Sequence, residues 1–134
     1  MIGFLGWVTA VCFGLAILNF FVKLLNRKYI SKLGKEKAQL VSAYRKVMKI
    51  VVKNHKVVGI VAIICVLIHF TIALISHRIL LSGIIAAGLM LSLFCLGFYG
   101  AYINKNFRGK WLKIHRVAAF AVLLAILTHA IFKI

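Results

Sequence analysis

The chain has 134 residues, 64% of them hydrophobic, with a mean hydropathy of +1.07 and no proline, which excludes a water-soluble domain with a modest core. Its 18 Lys and Arg against one acidic residue give a formal charge of +17, a balance that in a soluble protein would point to nucleic acid. These charges crowd into two connections between apolar segments, so nucleic acid is excluded and anionic membrane lipid is the expected surface partner.

A bilayer crossing takes about 20 apolar residues, and four segments meet that length: roughly 2–25, 56–76, 79–103 and 115–133. The expected fold class is all-α, an integral membrane four-helix bundle forming one transmembrane domain over 1–134. Residues 26–56 carry ten Lys or Arg and residues 104–116 carry five, whereas the connection at 76–79 has only Arg78. By the positive-inside rule the two basic connections are cytoplasmic and both termini extracytoplasmic. The expected location is a multi-pass position in a bacterial plasma membrane.

The first segment has no positive stretch before it and no clear small-residue cleavage site after it, so it reads as a retained span. Cys12 lies in it, and Cys65 and Cys95 lie in other spans with no paired spacing; they read as small packing residues. Between the first two spans, Leu40, Tyr44, Val47 and Val51 recur at helical spacing beside a basic line of Lys46, Lys49, Lys53 and Lys56. This makes residues 31–54 an amphipathic cytoplasmic helix that runs into the second span. It is suited to anionic headgroups or to an acidic electron-donating partner.

The second and fourth spans carry the chemistry. The second holds His55 and His69, the fourth His115 and His129, and both pairs are separated by the same 14-residue step. Fourteen residues of α-helix return a side chain to within roughly 40° of its starting direction, about 21 Å further along the axis. Gly59 and Ala119, each four residues after the first histidine of its pair, clear room on the same faces for a flat macrocycle. The third span has Gly83, Gly88, Gly97 and Gly100, whose default role is close helix packing. It is followed by a short basic turn with Trp111, which suits an interfacial anchor. His77, beside Arg78, reads as a surface histidine.

Histidine within a bilayer is costly and marks function. The second and fourth spans run in the same direction, so His55 is level with His115 and His69 with His129. Two imidazoles facing each other can ligate one iron axially, whereas 21 Å along one helix cannot be bridged by metal–nitrogen bonds of about 2 Å. The expected cofactors are therefore two heme b groups, one per leaflet, with the four histidines as iron ligands. Lys56 and Arg116 at the cytoplasmic end, and Arg78 and Lys133 at the other, are candidate partners for heme propionates. Glu36 is the sole carboxylate side chain, so no carboxylate pair, catalytic triad or acidic proton relay can be assembled. No catalytic residue is expected, and filling both axial positions favours electron transfer over oxygen binding.

The paired His-x13-His pattern, together with F-R-G-K-W-L-K-I-H-R at Phe107 to Arg116, resembles the ferric reductase-like transmembrane family, the heme core of NADPH oxidases and metalloreductases. The resemblance covers about residues 50–134. It implies that His55, His69, His115 and His129 hold two hemes carrying electrons from a cytosolic flavin to an exterior acceptor. The chain departs from the family in having four expected spans where the family core usually has six, and in lacking the cytosolic FAD- and NADPH-binding domain. The implied protein is a minimal di-heme cytochrome b, an electron-transfer subunit of an oxidoreductase, served by a separate flavoprotein or reductase donor or by membrane quinol. Four helices leave much porphyrin edge exposed, so a homodimer or larger complex is expected. The alternatives are a quinol-linked cytochrome b with quinone or superoxide chemistry, and a histidine-lined transition-metal transporter. Metal pathways usually add carboxylate or thiolate ligands to histidine.

Overall fold

A computed structural model of the chain describes residues 2–105 and 109–132. Phe107, Arg108 and Lys133 lie outside the described residues. Four α-helices follow one another: α1 (Ile2–Lys28), α2 (Ala38–Ile75), α3 (Leu81–Phe98) and α4 (Lys110–Phe132). Short 3-10 turns at Ile30–Lys32 and Lys35–Lys37 join the first two, and a π-helical turn at Tyr99–Asn104 ends the third. All four are long and apolar enough to cross a membrane. Helix is the structure such a chain must take, because each backbone donor and acceptor finds its partner within the segment.

The helices are separated by residues that suit turns. Gly34 leads the second 3-10 turn in extended backbone. At the opposite end, α2 closes in a Schellman arrangement: Arg78 N donates to Ala73 O at 3.0 Å and His77 N to Leu74 O at 3.1 Å. His77 takes the left-handed conformation this requires, with φ of 51°, at the position where glycine is usual. Lys105, with φ of 53°, ends the π-helical turn in the same way.

Antiparallel hairpins are the building units. α1 packs along α2 and α3 along α4, with α2 also against α3 and α1 only marginally against α4, so α2 and α4 stand diagonally across the bundle. The packed centre is small. Phe13, Ala62, Ile63, Val66, Met90, Leu93 and Val122 form one cluster, and Val122 is fully buried. Each of these residues falls between the two histidine levels of its hairpin, so the core separates one level from the other. Most other large apolar side chains are exposed, among them Trp7, Ile75, Val117 and Ile131, as expected where lipid is the solvent.

The sequence spans and the helices differ in one instructive place. α2 is a single helix of 38 residues, about 57 Å long at 1.5 Å per residue, and so exceeds a hydrocarbon core of about 30 Å. The segment at 38–54 therefore continues the span along its own axis and cannot lie flat at headgroup level. Tyr44 fixes it to α1 by donating from its hydroxyl to Val22 O at 2.8 Å.

Candidate functional site

Each histidine is placed by its hairpin partner. In the second hairpin the register sets Gly97 of α3 against His115 and Gly83 against His129. A Cβ at Gly97 would stand 3.2 Å from the His115 Cε1, and one at Gly83 would stand 3.0 Å from the His129 Cε1. The 14 residues from Gly83 to Gly97 repeat, in the antiparallel direction, the 14 from His115 to His129. In the first hairpin, Gly6 of α1 meets His69 in the same way, at 3.3 Å from its Cε1. The residue 14 beyond Gly6 is Phe20, and His55 is held instead by a backbone carbonyl.

That carbonyl is Ala16 O, 3.0 Å from the His55 Nδ1. With the proton on Nδ1 the ring donates this bond and keeps the lone pair of Nε2, the state of a metal-ligating histidine oriented by a carbonyl. His115 lies close enough to His55 for their charges to interact. Its Nδ1 is buried with no hydrogen-bond partner. Leaving a buried polar atom unpaired costs about 1–3 kcal/mol. Asn19 Oδ1, on α1 one turn beyond Ala16, is also buried and unpaired.

At the other level, the His69 and His129 rings stand 6.4 Å apart, centre to centre, inclined at 74°. Two metal–nitrogen bonds of about 2.0 Å, plus about 1.1 Å from each nitrogen to its ring centre, sum to about 6.2 Å. The observed separation is close to that sum. Ser82 Oγ lies 2.9 Å from the His129 Nδ1 and can fix the tautomer that leaves Nε2 as ligand.

A cavity of about 140 Å³ opens between this pair, bordered by Gly6, Ala10, Gly83, Ala86 and Ala87 as well as by Arg78. A macrocycle needs more space than this. α1 contributes the small side chains of Gly6, Thr9 and Ala10, whereas α3 adds Ile84 and Met90 to its glycine and alanines.

The other residues singled out from the sequence fall as follows. Arg78 borders the cavity with His69 and His129. Lys56 instead sets its ammonium 4.9 Å from the centre of the Tyr102 ring, and the Arg116 guanidinium lies 5.6 Å from that of Phe20. Both cations rest on aromatic faces, at the level of His55 and His115. Gly59 has open space where a side chain would be, while Ala119 packs against the core cluster. Trp111 is half-buried. Its ring lies over Gly100, where any Cβ would collide, and 6.2 Å from the His115 ring. The π-helical turn that contains Gly100 provides this notch. Cys12 and Cys65, 53 residues apart, bring their free thiols within hydrogen-bonding reach across α1 and α2.

No group of three or more His, Cys, Asp or Glu occurs among the described residues. The histidine rings with a defined mutual geometry are those of His69 and His129. Compared with known proteins, the chain matches no family model, no curated protein and no solved structure.

Proposed function

We propose that the protein is a minimal di-heme cytochrome b that moves single electrons across a membrane, holding one heme b between His55 and His115 and a second between His69 and His129. The observation that carries this reading is the 6.4 Å separation of the His69 and His129 rings, brought about by two helices that stand diagonally. When bound, heme supplies an iron that cycles between Fe(III) and Fe(II), and so takes up and releases one electron.

The chain's own residues do the rest. Ala16 O and Ser82 Oγ orient their imidazoles, Arg78 offers a cation beside the cavity for a carboxylate, and the apolar helices keep water from the two sites. With one carboxylate in the chain, in the connection before α2, no acid–base relay accompanies the electron. The basic connections support an orientation with both termini outside, in a bacterial plasma membrane. The resemblance to ferric reductase-like proteins supports a flow from a cytoplasmic flavoprotein or reductase to an exterior acceptor.

A dithionite-reduced minus oxidised visible spectrum of the purified protein, with a heme-to-protein ratio, tests the reading. The expected result is low-spin b-type bands at about two hemes per chain. No heme, with stoichiometric zinc or another transition metal in its place, would overturn it and leave metal transport as the better account.

A further inference from the structure

We propose that the projecting end of α2 is a docking site for an acidic protein surface, that of the electron donor; the donor's identity rests on the function proposed above, the docking surface does not. The argument begins with reach. From Ile75 back to His55, α2 rises about 30 Å, the full hydrocarbon thickness of a bilayer. The 17 further residues to Ala38 carry it about 25 Å beyond, past a headgroup layer of about 5–8 Å. α4 begins only five residues before His115. The first hairpin therefore stands above the second, next to the His55 and His115 level.

On this projection the 3-10 turns fold back and leave a groove of about 530 Å³, a volume within the usual range of ligand sites. Apolar Leu33 and Val41 line it together with Lys35, Arg45, Lys46 and Lys49. Glu36 is the one carboxylate side chain in the chain and cannot neutralise four cations. Leu40, Val47 and Ile50 are 56%, 56% and 61% exposed on a neighbouring face, although Leu40 and Val47 lie beyond the headgroup layer. A cationic groove flanked by exposed apolar side chains fits a partner that offers carboxylates around an apolar patch.

Two other occupants are less well matched. A second copy of this chain would set cations against cations. Lipid headgroups lie below most of the groove, since Arg45 stands about 15 Å beyond His55 along the helix. A cytosolic protein reaches the groove without restriction, and its acidic groups would be steered there.

The test uses the full chain in phosphatidylcholine nanodiscs, titrated with a fluorescein-labelled poly-glutamate peptide and followed by anisotropy. Saturable binding is expected, with R45E/K49E weakening it at least about tenfold and K110E/K113E, an equal charge change outside the groove, less than about threefold. Equal weakening by both variants would overturn the proposal in favour of diffuse attraction. Full competition by inorganic pyrophosphate would overturn it in favour of a small-anion site. Loss of peptide binding when phosphatidylserine replaces part of the phosphatidylcholine would overturn it in favour of headgroups. The visible spectrum of each sample separates this result from the function. Two hemes without groove-dependent binding overturn the docking site alone, and groove-dependent binding without heme overturns only the partner's identity as electron donor.

Discussion

At the basic end of the bundle, His55 meets a backbone carbonyl and the level is crowded by aromatic rings: Trp111 beside His115, with Phe20 and Phe120 packed edge to face nearby. At the opposite end, His69 and His129 border a cavity lined by glycines and alanines together with larger apolar side chains such as Phe70, Ile84 and Met90, and a serine hydroxyl takes the carbonyl's place. One level is held by main chain and filled with side chains, the other by a side chain beside open space. Carbonyl anchors cannot be removed by substitution, whereas the hydroxyl can. The basic-end histidines should therefore tolerate mutation around them poorly but keep their orientation, while those at the other end should be easy to retune.

The largest effect that would break this comparison is the loss of one level without the other. His129→Ala and His55→Ala should each lower the heme content from about two per chain to about one, with different residual spectra because different sites survive. If either variant loses both hemes, or keeps both, the two levels are not independent pairs and the assignment of His69 with His129 fails.

Glycine substitutions sharpen the contrast. At Gly97 an added methyl would meet the His115 ring at 3.2 Å, and the Trp111 ring packs beside that imidazole at 6.2 Å. Overpacking of this kind costs about 1–3 kcal/mol, so Gly97→Ala should lower the thermal unfolding midpoint. Gly83→Ala makes a tighter contact, 3.0 Å from the His129 Cε1, but that ring can swing into the cavity of about 140 Å³. Its cost should appear in heme affinity more than in stability, and the reverse order of the two melting shifts would refute the argument.

Ser82→Ala acts on the opposite level alone. Loss of an orienting partner costs a metal-binding histidine about 10–100-fold in affinity, read as faster heme transfer to an apo-globin acceptor. Only the heme of the His69 and His129 level should be affected, and Ser82→Thr should restore it.

Much of this arrangement could be read from the residues, and the parts that could not share a cause. The four apolar segments and the 14-residue histidine steps are local signals. The continuity of α2 was also visible, since no glycine or proline interrupts residues 38–58 and the amphipathic segment reads as running into the second span. The equal steps of Gly83 to Gly97 and His115 to His129 stand in the sequence too. They acquire meaning only once the α3–α4 register is known, because each contact joins residues 18 or more positions apart. Ser82 and His129 are separated by 47 positions, and Cys12 faces Cys65 across the other hairpin; no local pattern marks either pair. The Ala16 carbonyl belongs to the main chain, so side-chain identity carries no trace of it. The notch at Gly100 beneath the Trp111 ring likewise appears only with the π-helical turn.

The smallest effect concerns His77, the one histidine outside both levels. Its φ of 51° and its place in the Schellman arrangement at the end of α2 account for it as a turn residue, two positions from Ile75 and adjacent to Arg78 at the cavity. A left-handed conformation costs an L-residue about 1 kcal/mol and glycine almost nothing. Glycine loses part of that advantage through the greater freedom of its unfolded chain. His77→Gly should therefore change stability by less than about 1 kcal/mol, in the stabilising direction, and leave the spectrum of the His69 and His129 level untouched. His77→Val, β-branched at the same φ, should destabilise by about 1–3 kcal/mol. The pair of variants separates backbone from imidazole: a role for the ring in gating or ligation would make glycine as damaging as valine, whereas a role for the turn makes glycine the better residue and leaves all four remaining histidines with their work unchanged.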